Sequence, residues 1–287
     1  TVVDGAVYAL GAEGHLHCLD ADSGAVRWKR DFNAEFGTKT PIWGYAGHPL
    51  VEGDLVVCMV GGAGSTVVAF DRRDGREVWR ALSASEPGYA PPTIIEESGA
   101  RRLLTWDADT IAALDPAAGK VVWSVPLKPG YGMSIMAPQV AGTSAGRVLF
   151  ASGIGNIGAL FHFPAAAGVA PEPVWRNRAK TSIASANSTP AIVGDTLYGC
   201  DCETGFLTAV SLADGARLWE TGVPTLGSRR GRHGTAFLVR EGEEGDRFWL
   251  FSETGDLILA RLTPRAYEEL GRVHLLEPTG EIGRAHV

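Results

Sequence analysis

The strongest constraint in this sequence is a spacing that occurs four times: a small residue, one spacer, an acidic or hydroxyl residue, three spacers, Gly, three spacers, Trp. It reads Cys18, Asp20, Gly24, Trp28; Ala69, Asp71, Gly75, Trp79; Ala113, Asp115, Gly119, Trp123; and Ala209, Ser211, Gly215, Trp219. Trp175 marks a further copy whose loop, Pro164 to Pro173, is rebuilt around Pro and Ala, and Ala260, Leu262 and Ala266 mark a weaker sixth. Successive tryptophans fall about 45 to 50 residues apart, one supersecondary unit per copy with variable loops. A length of 287 residues would by itself suggest two domains at about 150 residues each. The repeat overrides that prior. The expected organisation is a single domain over residues 1–280, with copies near 1–40, 41–86, 87–131, 132–180, 181–227 and 228–280.

Within each copy, short runs of alternating or continuous Val, Ile and Leu are separated by Gly and Asp turns, a strand pattern. In the second copy the runs are Pro49 to Glu52, Leu55 to Val60, Thr66 to Asp71 and Glu77 to Arg80. Four strands in about 45 residues without helical periodicity make the blade of a β-propeller, so the expected fold class is all-β. The 37 glycines suit the many tight turns. The flat Trp ring is expected to wedge between blades, where a small residue such as Ala69 or Ala113 leaves room, and the Asp to fix the turn through backbone N–H groups. Apolar content of 45% and charged content of 21% exclude disorder. The longest apolar run, Leu55 to Val60, is far below the roughly 18 residues of a membrane-spanning helix. A net charge of −7 argues against a nucleic-acid partner, because phosphate binding rests on Lys and Arg.

These residues carry a resemblance: the A-x-D-x-x-x-G-x-x-x-W spacing resembles the tryptophan-docking motif of the pyrroloquinoline-quinone-like propeller repeat, over nearly the whole chain. The loops PIWGYAGHPLV, VPLKPGYGMS, SANSTP, RHGTAF and FSETGDLILARL are similar to exported repeat proteins called outer-membrane assembly factor B-like, within the quinoprotein alcohol dehydrogenase-like superfamily. The resemblance implies a periplasmic or cell-envelope location. It also implies a propeller of eight blades, of which six are visible here, so that the chain is expected to be a fragment whose six blades form an open arc. Thr1 is followed by neither a charged nor an apolar leader region, so any targeting peptide is expected to lie outside this sequence, and Glu281 to Val287 (EIGRAHV) reads as a non-native tail.

Loops that recur before the innermost strand of each blade line one mouth of a propeller channel. Stacked by position, they bring Lys39, Trp43, Tyr45, Tyr89, Tyr131, Met133, Asn187, Arg229, Arg230, Arg232 and His233 toward one face. Such a basic and aromatic surface suits an anionic or carbohydrate-like ligand; the other reading is a solvated arginine rim over aromatics that wedge the loops together. Quinoprotein dehydrogenases, by family resemblance, hold the quinone over calcium with Glu, Asn and Asp and stack it on an adjacent-cysteine disulfide. The loops here offer Asn187, Glu35 and Glu86 but no Asp, and no two cysteines adjoin. Cys18 and Cys58 read as small core residues, and Cys200 and Cys202 as strand neighbours on one face, half of a zinc site at most. Gly153, Gly155 and Gly158 match G-x-G-x-x-G, but a strand follows where phosphate binding needs a helix, so they read as a hairpin turn. His15 and His17 alternate on a strand with no third ligand at a defined spacing.

The expected function is a noncatalytic binding or scaffolding module with no cofactor or metal. Its partner is a protein or a small polar ligand at the channel mouth, because broad faces and strand edges suit peptide addition. The alternative is a pyrroloquinoline-quinone- and calcium-dependent alcohol or aldose dehydrogenase.

Overall fold

The computed structural model describes residues 1–177, 181–242 and 245–277. The tail at 281–287 and the last residues of the sixth copy lie outside the described residues. The chain is all-β, with six four-stranded antiparallel sheets, each formed by four strands consecutive in sequence. This is the β-propeller architecture. The second sheet comprises Leu50–Glu52, Leu55–Met59, Val67–Asp71 and Glu77–Ala81, within a residue of the strands expected from the sequence. Helix is confined among the described residues to Phe32–Phe36 and one 3-10 turn, Gly130–Gly132. No described helix is long and apolar enough to cross a membrane.

Burial follows strand position. All five residues of Val67–Asp71 are buried, whereas the outer strand Glu77–Ala81 buries only Trp79. A strand covered on both faces reads as a continuous apolar run, and one at the solvent edge alternates. G-x-G-x-x-G falls in a hairpin, with Gly153 opposite Ile157.

The chain forms two compact units, Thr1–Ala137 with Pro164–Ala170, and Pro138–Phe163 with Pro171 onward. In the first, Leu16, Cys18 and Trp28 of sheet one pack with Val56, Val68 and Phe70 of sheet two. The opposite face of sheet two, Val57, Val67, Ala69 and Trp79, packs with Leu103, Ala112 and Leu114 of sheet three. In the second, Tyr198, Leu207 and Ala209 of sheet five meet Phe248, Leu250, Ile258 and Ala260 of sheet six.

The tryptophans tie neighbouring sheets by one repeated arrangement. Trp28 donates its indole N–H to the Arg72 carbonyl at 3.0 Å, Trp79 to Pro116 at 3.1 Å, Trp175 to Leu212 at 2.8 Å and Trp219 to Thr263 at 2.8 Å. Arg72, Pro116 and Leu212 directly follow Asp71, Asp115 and Ser211 in the next copy. The ring lies under the glycine of that copy: a Cβ on Gly75 would stand 2.6 Å from the Trp28 ring, and one on Gly119 2.4 Å from that of Trp79. The partner in the next sheet is therefore glycine. The small residue is instead the cross-strand neighbour within the same sheet, Ala69 opposite Trp79 and Cys18 opposite Trp28, which corrects the expectation that alanine receives the wedge. Asp71 and Asp115 fix their turns by accepting the N–H of Arg73 and Ala117 at 2.9 Å. Trp28, Trp79 and Trp123 are buried and Trp219 is half-buried.

Two copies depart from the pattern. Trp123 donates to the buried Glu97 of its own sheet at 3.1 Å, and that carboxylate also holds Arg102 at 3.0 Å. The rebuilt loop places Gly168 beside Val122, not over an indole. In the sixth copy the bulge falls between Leu259 and Ala260, with Leu259 opposite Gly271. The expected alignment on Ala260, Leu262 and Ala266 is thus shifted by one residue, because the turn after Leu262 is longer.

Trp79→Ala is expected to cost about 3 to 5 kcal/mol, as for other emptied aromatic sites. Gly24 and Gly119 share a left-handed backbone, φ 71° and 67°, but nothing lies within 4 Å of a Cβ on Gly24. Gly24→Ala should show only the strain of about 1 kcal/mol, and Gly119→Ala clearly more, in urea unfolding.

Candidate functional site

The loops before the inner strands of the first unit interlock. The Tyr45 ring meets Phe32 edge-on at 5.5 Å, and its hydroxyl lies 3.3 Å from Asn33 and 3.4 Å from Thr38. Tyr89 donates its backbone N–H to Ser134 at 2.8 Å. Tyr45 and Tyr89 are only 6% and 5% exposed, and burial pushes both phenols above their ordinary pKa. They serve the packing of the loops. What this unit offers to solvent is Ile42 at 83%, Trp43 at 63% and Tyr131 at 88%, with Lys39 also exposed. Tyr131 is held outward at φ 57° in the Gly130–Gly132 turn.

The second unit carries Asn187, Arg229, Arg230, Arg232 and His233, all exposed. The Asn187 amide reaches the His233 carbonyl at 3.4 Å, and the His233 N–H bonds Cys202 at 2.8 Å. Two of the expected basic side chains are paired with acids: Arg230 with Glu220, where it also lies 5.1 Å over the Phe206 ring, and Arg232, which stands 3.5 Å from Glu203.

Beside this loop opens a cavity of about 780 Å³ lined by Asn156, Asp201, Glu203, Thr204, Arg217, Trp219, Glu220 and Arg230. Its floor is an ion pair absent from the sequence-based site. Asp201, wholly buried, receives Arg217 at 2.6 Å, Thr204 at 3.1 Å and the Ala184 N–H at 3.0 Å. Arg217 also donates Nε to the Ser182 carbonyl at 2.9 Å and a terminal nitrogen to Glu220 at 3.2 Å. One signal pointed there. Arg217 stands two residues before Trp219, where other copies carry Val26, Glu77 and Val121.

All four cysteines are free and buried. Cys200 is on a strand but Cys202 lies beyond its end at Asp201, so they do not share a strand face as expected. Burial pushes both thiols up to about 12. Cys200 sulfur instead lies 3.2 Å from the Ala236 N–H. His15 stands 3.5 Å from Asp31. Of the residues offered for calcium, Glu35 accepts Arg30 at 3.2 Å and the Asp31 N–H at 3.0 Å, Asn187 is turned to the His233 carbonyl, and Glu86 is exposed.

The fold and these loop ends define a class: a repeat propeller whose sheets are joined by docked tryptophans and whose loops present a polar cavity and exposed apolar side chains. The chain belongs to the family described as outer membrane protein assembly factor BamB, whose profile matches residues 1–221. Outer membrane protein assembly factor BamB of Moranella endobia (strain PCIT) is 24% identical over 254 residues, 85% of this chain and 62% of that protein. The chain therefore spans less than two thirds of that relative's length. The crystal structure of BamB from Moraxella catarrhalis superposes with a TM-score of 0.65 at 18% identity, over 94% of this chain and 70% of that one. Quinohemoprotein alcohol dehydrogenase ADHIIG from Pseudomonas putida HK5 gives 0.52 at 14% identity, over 91% and 51%. At these identities both show the fold alone.

Arg217→Leu strands a buried carboxylate and is expected to cost about 3 to 5 kcal/mol. Arg230→Ala, at the exposed rim, should cost under about 1 kcal/mol. Chemical denaturation of both variants checks the contrast.

Proposed function

We propose that this chain is a noncatalytic scaffold of the cell envelope that holds a polypeptide partner during outer-membrane protein assembly, working on the periplasmic side. The observation that carries the reading is the family match over residues 1–221. The side chains turned to solvent support it. Ile42, Trp43 and Tyr131 form the kind of exposed apolar anchors that protein interfaces bury, whereas Arg230 and Arg232 are already paired with carboxylates and give little net charge for a small anion. Exposed outer strands such as Tyr267–His274 add an edge to which an extended segment can hydrogen-bond.

A photo-reactive residue placed at Trp43 or Tyr131 in the exported chain should cross-link to a component of outer-membrane β-barrel assembly, and one at the exposed Glu172 should not. Equal adducts at all three positions, or none at Trp43 and Tyr131, would remove the reading. The dehydrogenase alternative separates from it by a second measurement. The chain should retain no pyrroloquinoline quinone in equilibrium dialysis with calcium, and saturable uptake with dye reduction by alcohols or aldoses would restore that alternative.

A further inference from the structure

We propose that the cavity of the second unit is a binding site for a neutral oligosaccharide, held between the Trp219 indole and the charge-balanced side chains Asn156, Glu220 and Arg230. The argument begins from the charges. Around the cavity, Asp201, Glu203 and Glu220 are matched by Arg217, Arg230 and Arg232, and every one of these six sits in an ion pair. Among the described residues that line the cavity, both guanidiniums, Arg217 and Arg230, are already held by carboxylates, so an anionic ligand would have to compete with Asp201 or Glu220. A cationic one would have to take a carboxylate from Arg217 or Arg230. Either exchange leaves a partly desolvated charge without its partner, a cost that grows with burial, and Asp201 is wholly buried. A neutral polyol breaks no pair.

The same side chains keep hydrogen-bonding capacity after pairing. Arg217 uses three nitrogens on Ser182, Asp201 and Glu220, and Arg230 directs one toward Glu220, out of five N–H donors that a guanidinium carries. Asn156 accepts from Asn177 through its side-chain oxygen at 3.0 Å, which orients the amide and leaves its N–H2 as a donor. Each Glu220 oxygen accepts one arginine and has a further lone pair. Planar, fixed donors and acceptors of this kind match vicinal hydroxyls, which donate and accept at once. Trp219 supplies the apolar wall: it is half-buried and lines the cavity, while its N–H is engaged with Thr263, so that the ring rather than the N–H is what a sugar's C–H face meets. A volume of about 780 Å³ falls in the range of small-ligand sites, roughly 300 to 1,000 Å³. The site is built from residues of the second unit alone, whereas Ile42, Trp43 and Tyr131 belong to the first, so it stands or falls independently of the scaffold reading.

The test titrates the full chain with cellotriose and chitotriose, and with glucose, glucosamine and glucuronate as one ring in three charge states, followed by indole fluorescence and saturation-transfer NMR. A neutral trisaccharide should bind saturably, glucose more tightly than its two charged counterparts, and Arg230→Ala should weaken the trisaccharide about tenfold, about 1.4 kcal/mol, with the melting temperature lowered by no more than about 4 °C. Glu220→Ala frees Arg230 and one terminal nitrogen of Arg217 and should turn the preference toward glucuronate. Saturable binding that favours glucuronate or glucosamine in the unmodified chain, or no saturation by either trisaccharide up to about 10 mM, a binding free energy weaker than about −3 kcal/mol, would overturn the proposal. So would trisaccharide binding that Arg230→Ala and Glu220→Ala leave unaltered.

Discussion

The contact on which this structure depends is an indole laid flat under a glycine. A Trp ring buries a large apolar area but carries one N–H that needs an acceptor, and both demands are met at once by the turn of the next copy. Gly75 and Gly119 have positive φ and no Cβ, so the ring approaches the backbone itself. The carbonyl exposed by the same turn then accepts the N–H, from Trp28 to Arg72 and from Trp79 to Pro116. Asp71 holds that turn by bonding the Arg73 N–H. One eleven-residue spacing thus closes a hairpin inside one sheet and joins it to its predecessor, and the loops on the other side are free of this duty.

Where the arrangement is not available, the chain substitutes other chemistry. The copy after Trp123 has Pro and Ala in place of the Asp and Gly turn, and Trp123 turns to Glu97, whose charge is balanced by Arg102. In the sixth copy the longer turn moves the bulge, and Gly271 stands opposite Leu259 where the other sheets have Trp. In both, the indole or the position it would occupy follows what the local backbone offers. A buried donor is seldom left without an acceptor.

The freed loops divide their residues between packing and display. Tyr45 and Tyr89 are drawn inward because their rings fill the gaps between loops, whereas Ile42, Trp43 and Tyr131 have no such gap and stay at the surface. Two of the three arginines that follow Gly227 are checked by acids, Arg230 by Glu220 and Arg232 by Glu203. The first unit thus displays apolar side chains, and the second a cluster of paired charges.

The sequence by itself determined the all-β class, the six copies and the strand positions of the second sheet to within a residue, because period-two burial and turn chemistry are local and survive in any context. It also marked Trp28, Trp79 and Trp219 as shared between sheets, but not that Trp123 would bond within its own sheet. It misplaced the receiving surface, taking Ala69 rather than the next copy's glycine, since cross-strand neighbours and inter-sheet neighbours look alike until register is known. The candidate site was legible only as a set of loops. Which of Tyr45, Tyr89 and Tyr131 faces water, and which arginine is left with net charge, was decided by tertiary structure: Asp201 and Arg217 lie far apart along the hairpin and meet only when Thr196–Asp201 and Arg217–Thr221 flank the same strand. Burial and pairing are properties of distance in space, and spacing along a chain fixes that distance only within a turn.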